Sequence, residues 1–438
     1  MNHSIFFNKI KKYLTNSLWI LSENLLRLIT GFFVGIYVAR YLGPGEFGAY
    51  NYSLSILTIM TPFLKLGIDN ILVKEFVNNK ESSETLISTS FVMKSVAGII
   101  LTGLLLVGYA IAPSENALFV LIMSIGYIFQ SLEVIGFYFQ SIHENKKVTQ
   151  CKLIQLAVSS LVKIIAIKMG CALIVFVCLY TIDLVMLYLI LFLFYKKSKN
   201  VPRLKINLYS NGCAKKLFLE SWPFILSGFA GLIYMRVDQI MIKNMISETA
   251  LGEFSAAVRL SEVIYMLPNL ILIVLFPVVT KVFAENKEKY IFIVRRLFDL
   301  MVVLALTLAL PISIFANDII SMLYGSAYST AGEILSIHVF CSIFVFIGIA
   351  NSTWVINEKL GKITIYRTVL AAIINIVLNF FLIPKYGPIG AAYATCISQF
   401  MASIGFNVIS RSTRPWFYRQ MVAVMTCGVN IYKWTKVR

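Results

Sequence analysis

An all-α polytopic membrane fold of about twelve transmembrane helices in two pseudo-symmetric six-helix bundles is the architecture this sequence predicts. Composition, the spacing of apolar runs and an internal repeat carry that expectation. Of 438 residues, 58% are hydrophobic and only 14% charged, whereas soluble chains carry about 25% charged residues. Mean hydropathy is +0.80. A spanning helix needs about 20 apolar residues, so roughly twelve spans would occupy a little over half of the chain. The net charge is nevertheless +18. A basic nucleic-acid binder has a polar body, so nucleic acid is excluded as a partner. A soluble enzyme, a disordered chain and a collagen-like fibre are excluded with it.

The elements follow in order. A first apolar run, 14–39, comes after Lys9, Lys11 and Lys12; it is longer than a signal-peptide core and no small-residue cleavage site follows it. The breaker Leu42-Gly43-Pro44-Gly45 separates it from 49–72. Runs 86–112 and 116–140 meet at Ala112-Pro113-Ser114, and 148–169 and 171–195 meet at Lys168-Met169-Gly170. The second half holds 217–243, 254–280, 293–316, 331–356, 363–383 and 388–410, with Asn317-Asp318 and Tyr386-Gly387-Pro388 as breakers. Seven cysteines (Cys151, Cys171, Cys178, Cys213, Cys341, Cys396, Cys427) form no CxxC pair, and His3, His143 and His338 are too scattered to ligate a metal. No metal or cofactor is expected.

Lys and Arg are retained on the cytoplasmic side of a membrane. With the N-terminus inside, 29 of the 39 basic residues fall in cytoplasmic segments and 4 in the outer joins, Arg40, Lys168, Lys243 and Lys385. Both termini are therefore expected in the cytoplasm of a bacterial inner membrane. The expected organisation is a first bundle over 1–200, a basic cytoplasmic linker over 201–216, a second bundle over 217–410 and a tail over 411–438. The tail mixes Trp416, Phe417, Tyr418 and Trp434 with Arg and Lys, which reads as an interfacial segment among membrane lipids. Gly45-Glu46-Phe47-Gly48-Ala49-Tyr50 recurs as Gly252-Glu253-Phe254-Ser255-Ala256-Ala257, an offset of 207 residues that also carries span one onto span seven. Two like-oriented halves imply a pseudo-two-fold axis along the membrane normal.

Six bases lie more than four residues from either end of a span: Arg27, Lys65, Lys94, Lys163, Arg236 and Arg259. A central Lys or Arg costs about 2.5–3.5 kcal/mol even on the lenient insertion scale, so such residues face a cavity or a partner. Local pairing competes with a cavity role, because Glu23 and Arg27, Lys65 and Asp69, and Arg259 and Glu262 each share a helix face. Lys94, Lys163 and Arg236 have no carboxylate one turn away, while Arg236 and Asp238 point to different faces. Gly31 and Gly35 extend the Arg27 stripe, either for close helix packing or to leave room for a bulky ligand. No GxxxxGK followed by Ser or Thr, no GxSxG and no HExxH occurs, which excludes an autonomous ATP-driven pump and argues against an enzyme.

The stretch Ala39-Arg40-Tyr41-Leu42-Gly43-Pro44-Gly45-Glu46-Phe47-Gly48-Ala49-Tyr50 resembles the first helix-to-helix join of Wzx-type O-antigen and polysaccharide flippases. These belong to the multidrug/oligosaccharidyl-lipid/polysaccharide exporter superfamily. Asp238-Gln239-Ile240-Met241-Ile242 with Leu251 to Leu260, and Gly387 to Thr395, add to the likeness. The resemblance implies a V-shaped alternating-access transporter of undecaprenyl-pyrophosphate-linked oligosaccharide, with polysaccharide polymerase and chain-length-regulator proteins as partners. Of the motif positions, Arg40, Gly43, Gly45, Glu46, Gly48, Arg259 and Gly390 match, and they mark joins better than substrate chemistry.

The in-span bases then acquire a task. Arg27 near mid-membrane, Lys65 and Lys94 towards the cytoplasm, and Lys163, Arg236 and Arg259 towards the outside would contact the pyrophosphate in succession. Asp69, Asp183 or Asp238 is the candidate to carry a coupling H+ or Na+. Two other readings compete: a drug or cation antiporter on the same fold, and a non-transporting scaffold of a glycan-assembly complex.

Overall fold

The computed structural model describes residues 3–78, 82–199 and 201–429. Of the structure, 88% is helical, and no strand occurs among the described residues. Lys80 and Trp434 lie outside them, and of Lys9, Lys11 and Lys12 only the helical backbone is described. The helices are α1 (His3–Lys65), α2 (Asp69–Asn78), α3 (Ser83–Ile111), α4 (Glu115–Phe129), α5 (Val134–Ser141), α6 (Asn145–Lys168), α7 (Leu173–Lys197) and α8 (Asn211–Met245). There follow α9 (Glu248–Val263), α10 (Met266–Glu285), α11 (Lys287–Ile314), α12 (Ala316–Tyr324), α13 (Ala331–His338), α14 (Cys341–Asn357), α15 (Gly361–Tyr386), α16 (Pro388–Ser403) and α17 (Arg414–Met425).

Eleven described segments are long and apolar enough to cross a membrane. The first, Leu26–Asn78, holds two helices, because α1 is broken at Gly43 (φ 71°, ψ 171°), so the expected twelve spans are present. Glycine takes that positive φ without a Cβ clash, and Pro44 has no amide hydrogen to continue the ladder. Gly387 (φ 62°) before Pro388 separates α15 from α16 in the same way.

Several expected spans are subdivided. The second ends at Lys65, where Leu66 and Gly67 turn the chain with positive φ, and α2 is a separate helix burying Leu72 and Phe76. A 3-10 turn, Gln130–Glu133, interrupts the fourth span, and short breaks divide the eighth and tenth into α9–α10 and α13–α14. The ninth span stops at Ile314, capped by Phe315, just before Asn317-Asp318, which lies in the first turn of the short α12; that helix ends in turn at Gly325 (φ 91°).

The chain forms two compact units, residues 1–42 with 52–229, and residues 43–51 with 230–438. The division thus falls inside α8 and not at the basic segment 201–216. Side chains of α3 explain why: Glu84 accepts from the Arg203 amide (3.1 Å), Ser88 from Lys205 (3.1 Å) and Thr89 from Ser210 (3.1 Å). Further along, Phe229 packs edge-on against Phe63 at 4.9 Å between ring centroids.

The first unit is centred on Phe76, Tyr138, Phe139 and Tyr195. The second is centred on Trp354 and Phe298, and here the tail departs from expectation. Trp416 is 3% exposed and stacks on Trp354 (5.5 Å, 16°), with its indole N–H donated to Glu358 (3.2 Å). The ring sits in the unit's core rather than at a lipid interface, although Tyr418 two residues on remains exposed.

Candidate functional site

Four charged side chains meet inside the first unit. Lys94 on α3 is 2% exposed and lies 2.7 Å from Asp69 and 3.6 Å from Glu133; Lys65 lies 3.8 Å and 3.7 Å from the same two carboxylates. The turn at Leu66 and Gly67 puts Lys65 and Asp69 on different helices, yet they still meet. Glu133 comes from the 3-10 turn and also accepts from Gln130 (3.5 Å). The ring of Phe137 lies 4.9 Å beneath the Lys94 ammonium. Two cations and two anions balance within the group, and at separations under 4 Å their attraction offsets the cost of taking the Lys94 ammonium out of water. The lysine that sequence left without a partner therefore has two.

Arg27 contacts Glu23 at 2.8 Å, as the i,i+4 spacing predicts, and Lys152 on α6 approaches the same carboxylate at 3.6 Å. Glu23 is buried, and the Arg27 side chain is 43% exposed although its Nε and one terminal nitrogen are buried. Glu23, Lys152 and Glu133 line one cavity of about 340 Å³, with Gln140, Asn145 and Thr149. Lys163 pairs with Asp183 across α6 and α7 at 2.6 Å, and Ser159 donates to the same oxygen.

In the second unit Arg236 pairs with Glu262 at 3.7 Å. Sequence spacing placed Glu262 beside Arg259 on α9; the structure also brings Arg236 of α8 to it. Arg259 is half-buried on α9, and its charge opposes the rise to about 12 that burial imposes on the Tyr324 hydroxyl. Asp238 is 5% exposed and accepts from the Gln239 amide (2.7 Å) and the Thr395 hydroxyl (3.5 Å). It forms no ion pair among the described residues, whereas Asp69 and Asp183 are each held by lysine.

The repeated Gly-Glu-Phe motifs pack on each other in the second unit. A Cβ at Gly48 would collide with the Glu248 carbonyl, and one at Gly252 with the Pro44 carbonyl. Phe47 and Phe254 are buried beside this crossing. Glycine is required because backbone meets backbone. The motif therefore builds a helix contact.

Sequence reasoning missed one charged residue altogether. Arg367, read as a cytoplasmic cation, is 7% exposed; it donates to Asn407 (3.2 Å) and Thr364 (3.3 Å) and lies 5.8 Å from the Trp354 ring. Asn407 bonds Gln420 on α17 (2.9 Å), which donates to Asn351 (2.5 Å). The signal was present as a stripe at four-residue spacing on α15, Arg367, Ala371, Asn375 and Asn379, all buried and all but Ala371 polar.

The family profile described as "Polysaccharide biosynthesis protein" matches residues 13–283, and a MatE profile matches 223–381. The capsular polysaccharide biosynthesis protein CapF of Staphylococcus aureus is 22% identical over 402 residues, spanning 87% of this chain and 95% of that protein. The probable flippase AglR of Haloferax volcanii is 26% identical over 405 residues, spanning 87% and 80%. The lipid II flippase MurJ, in an inward closed conformation, matches with a TM-score of 0.71 at 16% identity over 96% of this chain and 94% of that one. An inward-facing multidrug resistance MATE family transporter matches at 0.69 and 13% identity, over 96% and 99%. These two structures show the exporter fold. Because its family profile covers well over half of the sequence, the chain belongs to the polysaccharide biosynthesis protein family, as a multi-pass membrane protein.

Proposed function

We propose that the protein moves undecaprenyl-pyrophosphate-linked oligosaccharide from the cytoplasmic to the periplasmic leaflet of a bacterial inner membrane by ion-coupled alternating access. Similarity over 87% of the chain to a capsular polysaccharide biosynthesis protein and to a probable flippase supports a glycan cargo. The observation that carries the chemistry is Arg27, an in-span guanidinium oriented by a buried carboxylate on a side chain that is 43% exposed. A guanidinium grips phosphate oxygens bidentately, and Lys65, 35% exposed, offers a second such contact. The polyprenyl tail stays in lipid while the pyrophosphate exchanges among Arg27, Lys65, Lys94, Lys163, Arg236 and Arg259. Their existing carboxylate partners weaken the hold on the anion and so favour release. Of the coupling candidates Asp69, Asp183 and Asp238, we favour Asp238, whose carboxylate is held by neutral donors.

The test is flipping of a defined lipid-linked oligosaccharide in proteoliposomes, with and without a pH or Na+ gradient. Arg27→Gln with Arg236→Gln is expected to abolish transport while membrane insertion persists. Full transport by that double variant would sink the assignment. The MatE match over 223–381 keeps a drug or cation antiporter as the competing outcome, scored by efflux of an organic cation in the same vesicles.

A further inference from the structure

We infer that the segment from Lys196 to Lys215 is a built docking surface for anionic lipid headgroups of the leaflet it faces. The inference rests on placing this segment on the cytoplasmic side. Six cations, Lys196, Lys197, Lys199, Arg203, Lys205 and Lys215, are exposed here, and none forms an ion pair among the described residues. Nearby carboxylates are engaged elsewhere or stand apart: Glu75 holds Lys216 (3.0 Å), Glu84 accepts from the Arg203 amide, and Glu220 is exposed on α8.

The backbone here is fixed. Glu84, Ser88 and Thr89 fasten positions 203, 205 and 210 to the first turns of α3, and the Tyr195 hydroxyl donates to the Pro202 carbonyl. With the main-chain polar groups turned to the bundle, the cationic side chains are gathered beside the positive end of the α3 dipole. Orientation alone would require charge but no fixed backbone.

Apolar groups share the surface. Ile206 is 70% exposed and Tyr209 39% in the short 3-10 turn, and Leu219 and Trp222 are 59% and 48% exposed on α8. Helix α8 has 35 residues, and at 1.5 Å per residue it exceeds a hydrocarbon core of about 30 Å by several turns. Its first turns and the preceding linker therefore sit at headgroup depth. Exposed Ile and Tyr beside unpaired cations match an acyl boundary topped by phosphate and give no advantage against water. An acidic soluble protein would leave Ile206 and the α8 aromatics unaccounted for.

The test uses the full chain purified in mild detergent and native mass spectrometry with added phosphatidylglycerol, cardiolipin or phosphatidylcholine. The wild type is expected to retain the anionic lipids selectively. Each neutralised cation should weaken retention roughly fivefold, so Lys199→Gln with Arg203→Gln and Lys205→Gln should lose on the order of a hundredfold, with phosphatidylcholine unchanged. Ile206→Ser, which leaves charge and backbone bonds intact, should shorten retention of anionic lipids only, and guards against misfolding of the triple variant. Unchanged anionic retention in both variants would overturn the proposal. Equal displacement by inorganic phosphate would overturn it too, by showing a free-anion site. Because lipid retention is scored without transport, failure here is separable from failure of the flippase reading.

Discussion

The two units bury positive charge in opposite ways. In the first, Lys94 is enclosed with two carboxylates, and a second lysine shares them. In the second, Arg367 is equally enclosed but held by an asparagine, a threonine and an indole face. A lysine ammonium is a compact charge that needs a counter-ion when desolvated, whereas the broader guanidinium spreads its charge and tolerates neutral acceptors and an aromatic plane, here with its Nε left unbonded. The first arrangement is switchable by anything that competes for a carboxylate. The second is part of a static amide network tying α14, α15 and α17 together.

The largest effect expected is from stripping the counter-charges. Asp69→Asn with Glu133→Gln leaves Lys94 buried and unpaired, and should cost about 3–5 kcal/mol, read as a lowered melting temperature in detergent. Adding Lys94→Leu should restore most of it; a triple variant as unstable as the double would break the contrast. Next, Gly48→Val forces a side chain into the Glu248 carbonyl and should cost about 1–3 kcal/mol, with Gly45→Val, which has only Thr249 at 3.7 Å, much milder in the same assay. Gln420→Ala removes one bond each from Asn407 and Asn351, which keep other partners, and should cost about 1 kcal/mol. Arg367→Met should change stability by about 1 kcal/mol or less, because lost hydrogen bonds offset a relieved desolvation cost. A loss as large as that of the carboxylate double variant would erase the distinction between the units. Smallest of all, Lys281→Gln breaks an exposed pair with Glu285 and should register at about 0–0.5 kcal/mol.

How far the sequence could be read follows from the kind of contact. Spans and breakers depend on local composition, so Gly43-Pro44 and Gly387-Pro388 end helices where expected. Pairs at helical spacing were legible too, as with Glu23 and Arg27. Lys94 with Asp69 and Glu133, Lys163 with Asp183, and Arg236 with Glu262 lie 20 to 39 residues apart and exist because particular helix faces meet. No periodicity within one helix reports which neighbour it packs on. Arg367 and Trp416 were misplaced for a related reason: basic and aromatic residues near a span end look interfacial unless the helix that covers them is known.

The placement of the division within α8 has a consequence for taking the molecule apart. Residues 43–51 lie with the second unit and 211–229 with the first, so each unit borrows a segment from the other half of the polypeptide. Cutting the chain in its most hydrophilic stretch would not yield two self-sufficient pieces. Each fragment would carry a part its own body does not use and lack one that it needs.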